Sequence, residues 1–454
     1  MVCFVRYADT ADRPMEHSRE YYDSLFNDME GESVIRYYSD MSYGQLKWRS
    51  VFVDVDYVDQ FTRGYYRKSS ESNPDGYTNS VFGMMRVQSL VANAAKFASE
   101  HISPDVIVDA TGDGRVDNFI VVMAGNSEAS SSDGELWPHQ SSLSLGGSAS
   151  INDMKVGSYL MIFDGLNANK TLNLGVIAHE MMHSVGAYDL YTHGSNDPVG
   201  IWDVMSDNQT TPQAMTAYMR HTYGKTAGDW IPTITELTEN GSYTLKPLNS
   251  DTPDDVAYII RPDASRREYF MVEYRRKEGW DNSLTGSGII CYRINPDAAG
   301  NLSAAPGSQE VYVFRPSGSL TAVGNLKQAN LSANVVRKEF GTASAKSYPF
   351  YSDGSRADFT LTDIGRSEAD GITFTLNLGN AGINGIMADN RGIVCSGALI
   401  KAQGASVIAI YSVQGMLLLS SESEMLDASD LISGLYVAVA TYPDGSKQTL
   451  KFSK

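Results

Sequence analysis

Two histidines four residues apart, His179 and His183, have the spacing that most clearly indicates chemistry in this sequence. On a helix, residues four positions apart share one face, so both imidazoles can reach one metal ion. Glu180 follows the first of them and can act as a general base beside that ion. The HExxH pattern therefore predicts a catalytic zinc site. The alternative, two surface histidines, is disfavoured because the helix expected over 172–185 is apolar nearly all round.

A catalytic zinc ion needs a third protein ligand. In thermolysin-like enzymes this ligand is a Glu on a later helix, but here the next Glu is Glu236, beyond the apparent end of the domain. In the metzincin arrangement a glycine ends the helix three residues after the second His, and the ligand follows three residues later. Gly186 and Asp189 occupy these positions. We expect Asp189 to complete the site, where a metzincin usually has His.

A methionine turn below the zinc is the second metzincin element, and Met205 follows the zinc helix. Taken alone, such a methionine is more often ordinary core packing. Its place after HExxHxxGxxD makes it the predicted floor of the site. The group that stabilises the tetrahedral oxyanion stays open, because each candidate also has a structural interpretation: Tyr188, His193, Tyr218 and His221.

A loop with three carboxylates, Asp109, Asp113 and Asp117, is a candidate calcium site because hard cations prefer oxygen ligands. Thr111 stands where an EF-hand carries Asp or Asn, so the loop is not an EF-hand. A simple Asp/Gly turn leading into the next strand explains the same residues. Both interpretations remain open.

Composition excludes several classes of function. A net charge of -18 argues against nucleic-acid binding, which depends on clustered Lys and Arg. Three distant cysteines form neither a disulfide framework nor a zinc knuckle. No apolar run approaches the roughly 20 residues that span a bilayer, so we expect no transmembrane segment. All seven histidines lie in the first 221 residues, which places imidazole chemistry in the N-terminal half.

The patterning predicts an α+β, metzincin-like protease domain followed by all-β domains. Apolar residues between Met84 and Ala98 have helical spacing, whereas 119–124 and 159–163 have the length of strands. After Trp230 the pattern changes to short alternating segments separated by turn residues. We predict a zinc metallopeptidase domain at 1–230, a β-sandwich accessory domain at 231–382 and a small β-sandwich at 388–454, with a seam at 380–389.

The chain resembles the immune inhibitor A-like metallopeptidases, a family of exported bacterial enzymes, over about its first 380 residues. The resemblance implies that His179, His183 and Asp189 hold zinc, that Glu180 is catalytic and that a β-sandwich follows the protease domain. It also implies synthesis with a leader, absent from the start of this chain, and a propeptide. The segments that carry it are 33–38 with 42–44, 109–117, 137–139, 179–191, 202–205 and 269–274.

The last 65 or so residues are similar to the C-terminal sorting domains of the type IX secretion pathway, through 408–415 and 431–437. This resemblance implies contact with secretion machinery and a place at the surface or exterior of a Gram-negative cell. An immunoglobulin-like accessory module is the alternative.

The sequence therefore predicts a secreted zinc metalloendopeptidase that hydrolyses peptide bonds in protein or peptide substrates. The zinc ion would activate water, with Glu180 as general base. The alternative from another class is a non-catalytic surface binding or adhesion protein that retains the metallopeptidase scaffold.

Overall fold

The computed structural model describes residues 1–127, 135–165, 172–193, 197–302, 305, 307–379, 393–396, 398–413, 415–432, 434–443 and 447–454. They form two compact units, Met1–Leu378 and Gly379–Lys454. The boundary predicted at 230/231 lies inside the first unit, and the predicted seam at 380–389 lies outside the described residues.

A five-stranded sheet forms the centre of the N-terminal part. Its strands are β1 (Val2–Arg6), β2 (Tyr57–Val58), β3 (Ile120–Met123), β4 (His139–Ser142) and β7 (Ser158–Phe163), and a small hairpin of β5 (Ser150–Ile151) and β6 (Met154–Lys155) precedes β7. The strand order is β2-β1-β3-β7-β4. All neighbours are parallel except β4, which runs antiparallel to β7 at one edge.

Helices contribute to the cores on both faces of this sheet. The helices are α1 (Arg19–Asn27), α2 (Val34–Met41), α3 (Ser80–Glu100), α4 (Leu174–His183) and α5 (Ala217–Thr222). Side chains alternate along a strand, so Leu160 and Ile162 join the core that contains α1, α2, α4 and α5, while Tyr159 and Met161 join the α3 core. The expected helix around 84–98 and both expected strands are present.

The second part of the first unit consists of two sheets. The strands are β8 (Thr235–Leu237), β9 (Gly241–Leu245), β10 (Ala257–Ile260), β11 (Tyr269–Arg275), β12 (Gly288–Ile294), β13 (Val311–Val313), β14 (Phe359–Thr362) and β15 (Ile372–Leu378). They form a five-stranded sheet, β13-β12-β11-β10-β8, and a three-stranded sheet, β14-β15-β9. The predicted order, a mixed α/β part followed by a β-rich part, is confirmed.

The five-stranded sheet of this β-rich part packs on both sides. Phe270 and Val272 belong to a core shared with the three-stranded sheet. Met271, Ile290 and Tyr292 point the other way, into the core that contains α4 and α5. Helix α4 and the β-rich part are therefore built on one hydrophobic core.

The C-terminal unit is all-β in the part that the structure describes. Its strands are β16 (Ile393–Ser396), β17 (Leu399–Ala402), β18 (Val407–Ser412), β19 (Leu417–Ser421), β20 (Met425–Asp427), β21 (Leu435–Thr441) and β22 (Lys447–Ser453). A three-stranded sheet, β16-β17-β20, and a four-stranded sheet, β19-β18-β21-β22, contribute to one core. No helix in the described ranges of either unit has the length and apolar character needed to span a bilayer.

Candidate metal centre

The metal centre is built on α4, a nearly completely buried helix. Asn173 caps its N-terminus by accepting a hydrogen bond from the Val176 N–H at 2.9 Å. Gly175 has no room for a side chain, because a Cβ there would lie 1.7 Å from the Gln209 carbonyl oxygen. The close approach fixes α4 against the chain that follows the methionine turn.

Gly186 reverses the chain directly after α4. Its φ of +95° lies in the left-handed region that glycine adopts without strain. The Gly186 N–H donates to the His183 carbonyl, and the Ala187 N–H donates to the Met182 carbonyl, which closes the end of the helix. This turn directs the chain back toward the histidines, as the sequence spacing predicted.

Asp189 meets both histidines. Its Oδ1 lies 3.0 Å from His179 Nε2 and 3.3 Å from His183 Nε2. His179 is buried and His183 is partly exposed, so one side of the site faces solvent. The three residues expected to bind zinc are brought together around one point.

The other nitrogen of each imidazole fixes its tautomer. His179 Nδ1 lies 2.9 Å from the Val204 carbonyl, and His183 Nδ1 lies 2.8 Å from the Ala187 carbonyl. A carbonyl only accepts, so each Nδ1 must carry a proton, which leaves a lone pair on each Nε2 of a neutral ring. Two lone pairs and a carboxylate oxygen therefore point at one another.

This arrangement of acceptors fits a cation. Asp189 Oδ1 is buried and has no hydrogen-bond partner among the described residues. Burial would lower the pKa of His179, but contact with Asp189 raises this pKa overall; against the effect of burial, the two imidazoles lower the pKa of Asp189. A proton can bridge only one nitrogen and the oxygen, whereas a metal ion satisfies all three atoms. Two His and one carboxylate form a donor set that suits zinc.

Glu180 lies beside this point. Its carboxylate and the two imidazoles lie within 4.8 Å of one another, and within the described ranges this is the single group of three or more such side chains. Burial raises the pKa of Glu180, while the two imidazoles and the nearby Gln140 backbone N–H in β4 oppose the rise. The carboxylate is thus a stronger base than an exposed Glu and lies next to the edge strand.

The segment around Met205 lies under the site. The Met205 carbonyl accepts from the Leu190 N–H at 2.8 Å, and the Val204 carbonyl holds His179. The Met205 side chain is completely buried, and the buried carboxylate of Asp203 accepts from the Met205 N–H at 2.9 Å. The turn therefore contacts both the first histidine and the chain that carries Asp189.

A buried arginine of the β-rich part holds this turn in place. Arg275 in β11 donates to the carbonyls of Trp202 (2.6 Å) and Ala214 (3.0 Å). Its charge is balanced by Asp281 at 2.6 Å and Glu273 at 3.2 Å, and all three charged side chains are completely buried. No spacing in the sequence indicated that this network holds the turn, because Trp202 and Ala214 lie 73 and 61 residues from Arg275 along the chain.

The oxyanion candidates lie in different surroundings. Tyr218 donates to Glu310 at 2.8 Å, and His221 Nδ1 contacts the Ile231 carbonyl at 2.6 Å, so both have structural partners. Tyr188 is half exposed, and His193 is exposed. None of the four is in contact with the metal ligands in the described contacts.

Tyr191, which the sequence reasoning missed, lies at the site. Its ring stacks against His179 with 6.2 Å between ring centroids, and its phenol lies close to Asp189. Burial, together with the charges of Asp189 and Glu180, raises its pKa to about 12, so it is a neutral donor at pH 7. Its position two residues after Asp189 was the available signal.

The Asp109 loop is organised differently. Asp109 accepts backbone hydrogen bonds from Gly112, Asp113 and Gly114, and Asp117 accepts one from Ala110. These bonds describe an Asx-type turn closed by its own backbone. The three aspartates do not form a ligand group like that at His179. Calcium binding stays a prediction.

Comparison with known proteins agrees with the chemistry of the site. Residues 7–231 match the family described as immune inhibitor A peptidase M6, catalytic domain. This match supports a metallopeptidase in the first part of the chain. No curated protein matches the sequence.

Solved structures give weak likenesses. Wild-type OgpA from Akkermansia muciniphila shows 8% identity and a TM-score of 0.29, over 100% of this chain and 90% of that chain. A catalytically inactive OgpA from the same organism, in complex with the O-glycopeptide glycodrosocin, shows 8% identity and a TM-score of 0.28, over 100% and 91%. Likeness at this TM-score establishes no common fold.

Proposed function

We propose that the protein is a zinc-dependent endopeptidase with a metzincin-like site in which Asp189 is the third protein ligand. The observation that carries this proposal is the convergence of His179 Nε2, His183 Nε2 and Asp189 Oδ1, with each Nδ1 turned to a backbone carbonyl so that the neutral imidazoles direct their lone pairs at the same point. The match of residues 7–231 to a peptidase family supports the same reaction class.

Each residue then has a defined task. His179, His183 and Asp189 would hold a zinc ion, which when bound would polarise the scissile carbonyl and make water more acidic. Glu180 takes a proton from the attacking water and delivers it to the leaving amine. Tyr191 is a neutral donor beside the ligands and donates to the developing oxyanion. Met205 and Asp203 hold the loop that orients His179.

An extended peptide is the substrate that fits the surroundings of Glu180. Among the described residues, strand β4 pairs only with β7, so its other edge offers backbone groups for an added strand. Helix α4, which carries Glu180, lies next to this strand, so a peptide paired with β4 passes close to the base. Main-chain pairing gives affinity for any unfolded segment, and the neighbouring loops determine which substrate side chains are accepted.

Export is the second half of the proposal. The resemblance of 408–415 and 431–437 to type IX sorting domains supports a place at the surface or exterior of a Gram-negative cell. Fractionation of cells that express the full precursor tests it. Protein confined to the cytoplasm, with or without residues 388–454, would contradict export.

Cleavage of an unfolded protein such as reduced casein tests the peptidase assignment. We expect the wild type to cut, a chelated sample to be inactive, and Glu180→Gln to lose about 10² to 10⁴ in kcat/KM with unchanged zinc content. Tyr191→Phe should lose less, mostly in kcat. If a zinc-loaded wild type cuts nothing after removal of any pro-segment, or if Glu180→Gln cuts equally well, the rival, a surface binding protein on the same scaffold, replaces the peptidase.

A further inference from the structure

The chain around Asp189 is held from a second direction, by a loop of the β-rich part. The Asn301 backbone N–H donates to the Asp189 carbonyl at 2.7 Å, and its side-chain Nδ2 donates to the Leu190 carbonyl at 2.8 Å. From the other side, the Leu190 N–H donates to the Met205 carbonyl at 2.8 Å. The ligand segment is therefore clamped between the methionine turn and Asn301.

Asn301 also links this segment to a strand of the β-rich part. Its side chain is completely buried, and Nδ2 also donates to the Val311 carbonyl at 2.9 Å, while Oδ1 accepts from the Val311 N–H at 3.3 Å. Val311 begins β13, which pairs with β12 in the five-stranded sheet. The Asn301 side-chain amide thus connects Leu190, the residue after Asp189, to the sheet of the β-rich part.

Glu310 and Gly300 shape the same loop. The buried carboxylate of Glu310 accepts from the Gly300 N–H and from the phenols of Tyr218 and Tyr223, at 2.8 and 2.6 Å. Gly300 has a φ of +72°, and a Cβ there would lie 2.8 Å from the Asp189 carbonyl oxygen and 2.6 Å from the Tyr188 Cβ. The backbone of residue 300 therefore lies directly against the chain that carries the ligand.

We infer that Asn301, with Gly300 and Glu310, forms a positioning element of the metal centre, although it lies outside the matched region 7–231. This inference rests on the proposed zinc site. It means that the metal centre is completed by the β-rich part: its loop sets the position of Asp189 relative to the two imidazoles. Groups that orient a ligand typically change metal affinity about 10- to 100-fold when removed.

Asn301→Ala tests the inference in the full chain, with zinc affinity measured by competition against a chromophoric chelator. We expect affinity to fall about 10- to 100-fold. Asn330→Ala is the matched control, because Asn330 is equally buried in the β-rich part and bonds to the Ser287 carbonyl and to Arg337. It should lose comparable stability to denaturant and keep wild-type zinc affinity.

A second pair of variants tests the same contact without removing a buried polar group. Gly300→Ala pushes on the Asp189 chain, whereas Gly279→Ala introduces a side chain at a similar φ, +55°, with no atom within 4 Å. We expect weaker zinc binding in Gly300→Ala alone. This pair decides the question if Asn301→Ala does not fold.

The outcomes separate the inference from the function it rests on. If the wild type binds zinc and cuts casein while Asn301→Ala and Gly300→Ala bind zinc as tightly as the wild type, the inference is overturned and the proposed function stands. An equal loss of zinc affinity in Asn330→Ala and Gly279→Ala would also overturn the inference, because the effect would then be general destabilisation. A wild type that binds no zinc overturns both.

Discussion

Two loops that contain aspartates, around Asp189 and Asp109, are both predicted from sequence to bind a cation, and the structure organises them in opposite ways. Asp189 Oδ1 is buried against two imidazole nitrogens without a hydrogen-bond partner in the described residues. Asp109 accepts three backbone N–H groups within its own turn. The difference suggests a criterion: acidic oxygens that converge on other acceptors without donors favour a metal site, whereas oxygens already satisfied by the backbone favour a turn.

The largest expected effect comes from the loop with unsatisfied acceptors. Asp189→Ala removes the oxygen ligand and leaves two imidazoles, which is too few for a stable catalytic site. We expect zinc affinity to fall at least 100-fold, which exceeds the usual effect of removing a residue that only orients a ligand. Activity should fall to that of chelated protein. Zinc content per chain after dialysis measures the loss of zinc. Unchanged content would exclude Asp189 as a ligand.

The supports of this loop should also matter more than those of the Asp109 turn. Arg275→Ala leaves the buried carboxylates of Asp281 and Glu273 without their cation. We expect a loss of about 3–5 kcal/mol in the free energy of unfolding, measured in urea. A loss below about 1 kcal/mol would show that the buried network does not stabilise the fold, since an exposed ion pair contributes no more than that.

The loss of activity at low pH depends on Glu180. Burial raises the pKa of Glu180, so its base form is lost at a higher pH than an exposed Glu would be. We expect kcat/KM to fall as the pH drops through this raised pKa. A profile without any acid limb while zinc stays bound would contradict Glu180 as the base.

The smallest effect is expected at the Asp109 turn. Asp109→Ala removes one exposed acceptor from three backbone N–H groups that water can also satisfy, so we expect the Tm to fall by less than in Arg275→Ala. Because the turn is already closed by its own backbone, we expect the Tm of the wild type to stay constant as calcium is added. A Tm that rises with calcium, and fails to rise in Asp113→Ala, would instead establish the predicted calcium site.

The sequence was sufficient for those parts of the site that are encoded locally. Helical periodicity brings His179 and His183 together, and only a glycine such as Gly186 reverses the chain there without strain. The helix expected over 172–185 is observed as Leu174–His183. Tyr191 could have been found from its distance to Asp189 along the chain.

The remote supports could not be predicted. Asn301 and Arg275 reach the site through the packing of the β-rich part on the α4 core, and a single sequence carries no periodic signal for such contacts. The same packing explains why the boundary predicted at 230/231 falls inside one compact unit. Composition changes there, but the hydrophobic core continues across it.

Anomalous diffraction at the zinc edge from crystals of the wild type tests the central claim most directly. We predict one peak about 2.0–2.2 Å from His179 Nε2, His183 Nε2 and Asp189 Oδ1, with no bond from Glu180 to the ion. The absence of a peak there, or a peak bound by Glu180 in place of Asp189, would contradict the account.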